Sequence, residues 1–361
     1  MKRLSSTLTV LCMIVGCLCL PAAASDDAGY PAAHAVRRCN TLSFEAASSA
    51  APKTSAGRGV LMDADTGELL WSRHPDDPGL IASTTKIMTA YLICQTGGLD
   101  KLVTIPAEAV GVEGSSLYLK EGETLTREEL LLGTMLQSGN DAALALAIDA
   151  AGSGEAFAER MNEAARDLGL QNTHYANPHG LDQEGHYGSA RDLALLTAAA
   201  LQNPDFRRIA SAKTAVVAGE RMLTNHNKLL WLCPGCIGVK TGYTRAAGRL
   251  LVSAAEREGR TLICVTVNDA DDWRDHIALL DWGFAQYREE VVAERGRPIL
   301  RVGDVTLIAQ ADLSLFLAEG EEPRLVYVPG FPEAGVVRVY LNSRQVAELP
   351  VSWPSASSAD P

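Results

Sequence analysis

The spacing of hydrophobic and polar residues predicts strands on both sides of a helical block. Residues 60–63 and 69–72 are short apolar runs separated by a turn at residues 65–67, an arrangement that predicts an antiparallel hairpin. The block that follows carries apolar residues three and four positions apart, which is the period of amphipathic helices. Helices are predicted over residues 83–95, 127–136, 141–151, 155–168 and 190–201.

Strand patterns return after this helical block. Residues 238–243, 249–254 and 262–267 follow one another with short connections, so we expect them to pair as an antiparallel meander. Residues 271–287 have helical spacing and should pack on that sheet. Strands on both sides of a helical block indicate an α+β domain, in which the first hairpin joins the later strands in one sheet.

The pattern changes again near residue 291, where short β-like runs alternate with Gly and Pro. These runs cover residues 298–301, 305–309, 324–328 and 336–341. We therefore predict a small, nearly all-β domain over residues 291–353 and a disordered tail over residues 354–361. Residues 25–55 are rich in Ala and Ser and indicate a flexible leader, which leaves residues 56–290 for the α+β domain.

The first 24 residues have the composition of an export signal. Lys2 and Arg3 precede an apolar run over residues 8–20, and small residues ending at Ala24 supply a cleavage site. The run is shorter than the roughly 20 residues that a membrane span needs. An exported, extracytoplasmic protein cleaved near Ala24 is therefore expected. An alternative makes Cys17 the acylated residue of a lipoprotein, although little apolar sequence would precede it.

Composition fits a folded protein and excludes one class of ligand. Charged residues make up 21% and hydrophobic residues 47% of the 361 positions, which is ordinary for globular domains. The formal net charge is −12, and removing residues 1–24 takes away only Lys2 and Arg3, which leaves −14. A chain this acidic is not expected to bind nucleic acid.

The cysteines do not indicate a redox or zinc centre. Three of the eight lie in the signal, and the remaining five are Cys39, Cys94, Cys233, Cys236 and Cys264. Cys233 and Cys236 have the C-x-x-C spacing, but no strand and helix start surround them as a thioredoxin-like motif requires. A local disulfide or two inert thiols is the expectation, and one such pair is a poor zinc site.

Ser83-Thr84-Thr85-Lys86 lies where a helix should start. Three-residue spacing puts Ser83 and Lys86 on one helix face, so the amine can serve as a base for the hydroxyl. An ordinary lysine is protonated at neutral pH, so the site would have to lower its pKa by burial or a neighbouring cation. Taken alone, the pattern fits an N-cap serine and a surface lysine better.

Two further motifs change that balance. Ser138-Gly139-Asn140 lies in a short break between two predicted helices, where functional side chains are often displayed and where a simple helix cap is the alternative. Lys240-Thr241-Gly242 lies on a predicted strand, where Gly242 permits close approach of another backbone. The alternative there is an exposed strand end.

Together, in this order, the three motifs resemble the S-x-x-K, S-x-N and K-T-G signature of penicillin-binding proteins and class A β-lactamases. Residues 81–90, 135–143 and 238–244 are similar to the low-molecular-weight D-alanyl-D-alanine carboxypeptidases, as are residues 177–182 and 225–231. The resemblance covers about residues 59–287. It implies an α+β fold with a β-lactamase/transpeptidase-like domain, an antiparallel sheet with a helical block, followed by a small all-β domain.

The resemblance also implies a role for each motif residue. Ser83 would be the nucleophile that forms the acyl-enzyme, Lys86 its general base, and Ser138 a proton relay between Lys86 or Lys240 and the leaving amine. The remaining residues would bind substrate: Asn140 the peptide group, Lys240 and Thr241 the terminal carboxylate, Gly242 the approaching backbone, and the N–H groups of Ser83 and Tyr243 the oxyanion.

The sequence thus predicts a serine-type D-Ala-D-Ala carboxypeptidase that removes the terminal D-alanine from peptidoglycan stem pentapeptides through a Ser83 acyl-enzyme. Stem peptides ending in D-Ala-D-Ala and inhibitory β-lactams are the expected partners, without a cofactor or metal. The family often ends in an amphipathic membrane helix, and none follows Leu349, so a peripheral association with membrane or wall stays open.

Three other functions fit the residues less well. A zinc peptidase is suggested by His174, His179, His186 and Asp182, but these residues lack the helical H-E-x-x-H arrangement. A β-lactamase or esterase would need a base for fast deacylation, and no Glu-x-x-x-Asn loop is evident. A non-catalytic wall-binding or sensor protein has no use for a nucleophile paired with a base.

Overall fold

The computed structural model describes residues 50–318, 321–330, 335–341 and 344–353. The predicted signal peptide, most of the predicted leader, the predicted tail and Cys39 lie outside the described residues. The end of the leader is held in place rather than flexible. The Ser55 backbone donates to Asp275 Oδ2 at 2.6 Å and its hydroxyl donates to Asp269 Oδ1 at 2.5 Å.

The described residues form sixteen strands, eight α-helices and two short 3₁₀ helices, numbered in chain order. The strands are β1 (Arg58–Asp63), β2 (Leu69–Arg73), β3 (Leu102–Thr104), β4 (Thr124–Thr126), β5 (Thr214–Val217), β6 (Arg221–Thr224), β7 (Cys236–Thr244), β8 (Gly248–Arg257), β9 (Arg260–Val267), β10 (Tyr287–Ala293), β11 (Pro298–Val302), β12 (Val305–Ala309), β13 (Leu313–Ala318), β14 (Arg324–Pro329), β15 (Gly335–Leu341) and β16 (Arg344–Ser352). The helices are α1 (Lys86–Thr96), α2 (Arg127–Leu136), α3 (Asn140–Ala151), α4 (Gly154–Asp167), α5 (Ala190–Leu201), α6 (Pro204–Ser211), α7 (Leu229–Leu232) and α8 (Asp272–Phe284), with 3₁₀ helices at Ala82–Thr85 and Ala107–Ala109.

A five-stranded antiparallel sheet in the order β2-β1-β9-β8-β7 forms the centre of the first domain. The predicted hairpin and the predicted meander are therefore confirmed as parts of one sheet. Its two faces pack on different layers, as the alternation of side chains along a strand requires. Val60 and Met62 of β1 face the helical block, while Leu61 between them packs toward α8.

The helical block covers one face of this sheet. Helix α1 lies inside it, with Ile87, Met88 and Ile93 fully buried. Helix α2 begins with a capping box, in which the Thr126 hydroxyl accepts from Glu129 N and the Glu129 carboxylate accepts from Thr126 N. The cap fixes where α2 starts.

The β-rich region after residue 290 contains a five-stranded sheet in the order β11-β12-β16-β15-β14 and a separate β10–β13 pair. Its core includes Leu307, Val337, Val339 and Val351. The predicted helix over residues 271–287 ends at Phe284, and β10 then runs across the predicted domain boundary at residue 290. Within the described residues no helix is long and apolar enough to span a bilayer.

Candidate active site

The S-x-x-K motif forms the turn that leads into α1. Ala82–Thr85 is a 3₁₀ helix, and Lys86 is the first residue of α1, so Ser83 precedes the α-helix that was predicted to begin with it. The residue before Ser83 has a left-handed backbone, with φ +44° at Ala82. Its carbonyl accepts the Thr85 hydroxyl at 2.8 Å, and Thr85 Oγ1 also contacts His186 Nε2 at 2.7 Å.

Lys86 is fully buried, and its Nζ lies within hydrogen-bond distance of three neutral oxygens. Its Nζ donates to Ser83 Oγ at 3.1 Å, to Asn140 Oδ1 at 2.6 Å and to the His179 carbonyl at 2.6 Å. Burial lowers the pKa of Lys86 well below its usual value, and the nearby charge of Lys240 lowers it further. A neutral amine beside a hydroxyl is the arrangement that general-base activation of a serine needs.

The S-x-N motif occupies the break between α2 and α3, as predicted. Ser138 is buried with a left-handed φ of +61°, and Asn140 begins α3. The Asn140 side chain joins two parts of the site, because its oxygen accepts from Lys86 while its Nδ2 donates to the Glu113 carbonyl at 2.6 Å. Within the described residues, neither lysine donates to Ser138, so the predicted proton relay is not formed in this arrangement.

The K-T-G motif lies on β7, the edge strand of the central sheet. Lys240 is buried, burial lowers its pKa to about 7, and its Nζ donates to the Thr241 carbonyl at 3.1 Å. A Cβ on Gly242 would lie 3.3 Å from the Ser83 backbone nitrogen, so β7 runs directly beside the Ser83 turn. Tyr243 follows with its side chain exposed.

These elements enclose a cleft of about 400 Å³. It is lined by Ser83, Gly114, Ser115, Asn140, Gly180, Leu181, Tyr243 and Thr244. Three of the predicted site residues, Ser83, Asn140 and Tyr243, thus face one cleft, while Lys86 and Lys240 lie buried beside it. At the cleft, the Thr244 hydroxyl donates to Asp182 Oδ1 at 3.1 Å.

Several functional groups of the cleft were missed by sequence reasoning. The carbonyls of Glu113 and His179 hold Asn140 and Lys86, but backbone groups leave no side-chain signal in a sequence. Gly180 could have been recognised from the sequence, because it lies in the Asn-Pro-His-Gly segment that is similar to the carboxypeptidase family. Its φ is +92°, and a Cβ there would come within 1.9 Å of the Ala82 carbonyl oxygen.

The histidines that suggested zinc serve other contacts. Burial lowers the pKa of His179 to about 3 and that of His186 to about 4, so both rings are neutral near pH 7. His186 Nδ1 accepts from Ala176 N, and this tautomer leaves Nε2–H to donate to Thr85. Across the described ranges, no group of three His, Cys, Asp or Glu side chains is placed to hold a metal ion.

The described cysteines, Cys94, Cys233, Cys236 and Cys264, are free thiols. Cys233 and Cys236 flank a tight turn, in which Cys236 N donates to the Cys233 carbonyl at 3.2 Å. Burial raises the pKa of Cys236 to about 11, so little thiolate is present at neutral pH. The sequence left open a local disulfide or two inert thiols for Cys233 and Cys236, and the structure contains two free thiols.

Comparison with known proteins gives one consistent family. The sequence profile described as D-alanyl-D-alanine carboxypeptidase matches residues 45–271. D-alanyl-D-alanine carboxypeptidase DacF of Bacillus subtilis (strain 168) is 33% identical over 315 residues, covering 84% of this chain and 76% of the relative. DacA of Escherichia coli (strain K12) is 37% identical over 301 residues, covering 79% of this chain and 70% of the relative.

Solved structures show the same fold. Penicillin binding protein 6B from Escherichia coli superposes with a TM-score of 0.65 at 30% identity, covering 87% of this chain and 99% of that one. Penicillin binding protein 5 from Haemophilus influenzae gives a TM-score of 0.65 at 29% identity, covering 85% and 98%. The predicted fold class, an α+β transpeptidase-like domain followed by an all-β region, is confirmed.

Proposed function

The chain belongs to the D-alanyl-D-alanine carboxypeptidase family, and from that membership we propose how its own residues carry out the reaction. Its activity is the serine-type hydrolysis that releases the terminal D-alanine from stem peptides ending in D-Ala-D-Ala, and β-lactams inhibit it. The roles proposed for Ser83 and Lys86 rest on the 3.1 Å hydrogen bond between Ser83 Oγ and the buried Lys86 Nζ.

Acylation begins when neutral Lys86 takes the Ser83 proton as Ser83 Oγ attacks the carbonyl carbon of the penultimate D-alanine. The C–N bond to the terminal D-alanine then breaks, and the leaving amine receives, by way of the Ser138 hydroxyl, the proton that Lys86 took from Ser83. This relay requires Lys86 or Lys240 to move into hydrogen-bond contact with Ser138 during the reaction. The backbone N–H groups of Ser83 and Tyr243 stabilise the oxyanion. The contact of Gly242 with the Ser83 turn supports this pairing, because it brings β7 beside the nucleophile.

The substrate lies along the free edge of β7. Lys240 and Thr241 bind its terminal carboxylate, Asn140 donates a hydrogen bond to its peptide group, and Gly242 leaves room for its backbone. Water then hydrolyses the ester on Ser83 and regenerates the enzyme. Lys240 adds a second effect, because its charge lowers the pKa of Lys86.

The site requires access to cell-wall peptides, so we place the protein on the extracytoplasmic side after cleavage near Ala24. Peptidoglycan stem peptides are its substrates, and the assigned residues all precede Arg245. We assign catalysis to residues 56–290 and stability or attachment to membrane or wall to the β domain over residues 291–353.

Mass spectrometry of a pentapeptide ending in D-Ala-D-Ala tests this function. Incubation with the purified protein should shorten the peptide by one alanine, and Ser83→Ala should abolish the loss. A matched peptide ending in L-Ala-L-Ala should stay intact. Rapid turnover of a penicillin with no shortening of the peptide would instead support the β-lactamase alternative.

A further inference from the structure

Asp141 directly follows the S-x-N motif and has no part in the mechanism above. It lies in the first turn of α3 with only 1% of its surface exposed. Burying a carboxylate is costly unless it is hydrogen-bonded or paired. Within the described residues no Lys, Arg or His forms an ion pair with it, so hydrogen bonds must offset the cost of its burial.

All but one of the donors to Asp141 belong to a single loop. Asp141 Oδ2 accepts from the Ser116 hydroxyl at 2.7 Å and from Leu119 N at 3.2 Å. Leu117 N lies 3.0 Å from both carboxylate oxygens, and Ala142 N of the same helix donates to Oδ1 at 2.9 Å. One carboxylate therefore fixes three donors of the 116–119 segment against the start of α3.

The same loop forms a wall of the cleft. Gly114 and Ser115 line the cleft directly before the segment that Asp141 holds. Asn140 binds the loop on this side, because its backbone N–H donates to the Ser115 carbonyl at 2.7 Å and its side chain donates to the Glu113 carbonyl. Leu117 fills the space beside the motif, where a Cβ on Gly139 would come within 2.2 Å of its side chain.

We propose that Asp141 is a positioning residue: its buried carboxylate clamps residues 116–119 onto α3 and thereby holds Asn140, and through it Lys86, in the geometry for acylation. This inference rests on the proposed role of Lys86. Its charge also acts on that lysine, because Asp141 raises the pKa of Lys86 while burial and Lys240 lower it. The loss of the Asp141 charge can therefore be followed as a shift in the pKa of Lys86, which a carboxylate far from that lysine would not produce.

Asp141→Asn keeps the side-chain shape but removes the charge and turns one acceptor into a donor that faces loop donors. We expect the second-order rate constant for acylation by a β-lactam to fall about 10- to 100-fold, the range for losing charge-assisted hydrogen bonds. Rates are measured on the fraction of chains that can be acylated, so unfolded molecules do not count.

The pH dependence of the acylation rate separates the effect of the Asp141 hydrogen bonds from the effect of its negative charge. Lys86 is also faced by Lys240, His179 and His186, and both histidines are neutral above about pH 5. Activity rises with pH as Lys86 loses its proton. Without the Asp141 charge the pKa of Lys86 falls further. The rising, acid limb of the pH–rate profile should therefore move to lower pH in Asp141→Asn, although the maximum rate of this variant is smaller.

Asp192→Asn is the matched control. Asp192 is similarly buried in the first turn of α5 and accepts from Asn172 N at 2.7 Å and the Thr173 hydroxyl at 2.8 Å. Asp192→Asn should lower the stability of the fold but keep the acylation rate constant and the acid limb of the parent enzyme. Ser116→Ala, which removes one donor and keeps the charge, should lower the rate constant about 2- to 10-fold without moving the limb.

An Asp141→Asn enzyme whose acylable fraction reacts at the parent rate with the parent acid limb overturns the inference, as does a Ser116→Ala rate equal to the parent rate. Peptide mapping of the adduct keeps the tests separate. An adduct on a residue other than Ser83 would overturn the proposed function, whatever Asp141 does.

Discussion

Lys86 is suited to act as a base because burial excludes water from its amine and its hydrogen-bond partners carry no negative charge. A buried lysine favours its uncharged form, and the positive charge of Lys240 strengthens that preference. Lys240 is itself buried, with a pKa of about 7, so the substrate carboxylate has a cation to bind only when Lys240 is protonated. In the proposed mechanism, Lys86 therefore acts in its neutral form and Lys240 in its protonated form.

Lys240→Gln tests this division. A peptide with its C-terminal carboxylate converted to an amide should react about 10- to 150-fold more slowly than the acid with the parent enzyme, since a charge-assisted hydrogen bond is lost. In the variant this preference should shrink, and the acid limb should move to higher pH because Lys86 loses its positive neighbour. Steady-state kinetics on both peptides across pH measure both effects.

The pH dependence of the parent enzyme provides the check. Its preference for the acid peptide should decline as pH rises through about 7, because Lys240 loses its charge there. A variant that kept the full preference would move carboxylate recognition to another cation, with Arg245 or Arg249 next along the chain.

Gly180→Ala tests the contact that shapes the Ser83 turn. Its φ of +92° disfavours any side chain, and a Cβ would lie 1.9 Å from the Ala82 carbonyl oxygen. Displacing that carbonyl shifts the nucleophile, so we expect acylation to slow about 100-fold. The control is Gly185→Ala, with φ +79° and its nearest neighbour atom 3.8 Å away. It should cost about 1 kcal/mol of stability and leave acylation unchanged. Equal rates for the two variants would contradict this account.

Side-chain chemistry is what a sequence can predict at this scale. The motifs predicted Ser83, Lys86 and Asn140 as site residues, and the structure joins these three side chains by hydrogen bonds. The backbone carbonyls of Glu113 and His179 could not be found, because any residue type supplies one. What selects those positions is the path of the loops, which depends on long-range packing.

Among the elements, the periodic ones were predicted best. The spacing of apolar residues placed α2 and α5 at their observed bounds, since burial on one face imposes the helical period. Helix α6 was missed because eight residues carry little periodicity, and its start depends on the Asn203 cap. The helical pattern was extended too far at Tyr287, whose hydroxyl instead donates to Asp63 Oδ2 at 2.7 Å from the start of β10.

Helix α2 carries the S-x-N loop at its end, and its capping box gives a prediction about the element alone. Thr126→Ala should lower the free energy of unfolding by about 1 kcal/mol, because Glu129 N loses its acceptor. Chemical denaturation measures the change, and acylation of the folded fraction should keep its rate. Thr124→Ala, at an exposed position of the same strand, is the control and should change stability by less. An uncapped helix with full stability would show that tertiary packing alone fixes its start.

For the whole molecule, Arg260 links the catalytic sheet to the β-rich region. This buried guanidinium on β9 donates to Asp63 Oδ2 at 2.9 Å and to the Phe316 carbonyl of β13 at 2.9 Å, and it pairs with Glu321. The cleft residues lie on the other side of the domain boundary in sequence, all before residue 245. The link therefore concerns stability more than chemistry.

Deletion of residues 291–361 tests whether the β-rich region is dispensable for chemistry. We expect the truncated chain to be acylated by a β-lactam at a rate similar to the parent, but to lose about 2 kcal/mol or more of stability as Arg260 loses its acceptors. Glu321→Gln, which keeps the β strands, should also lower stability, but by less than the deletion does. A truncated chain that is folded by circular dichroism and yet cannot be acylated would contradict the division between the two regions.

Locating the covalent adduct of a β-lactam shows whether Ser83, activated by Lys86, forms the acyl-enzyme. The protein is incubated with a labelled penicillin, its intact mass is recorded, and the adduct is located by peptide mapping. We expect one adduct per chain on Ser83, a complete loss of that adduct in Ser83→Ala, and a greatly slowed reaction in Lys86→Ala. An adduct that forms at the parent rate in Ser83→Ala would contradict this expectation.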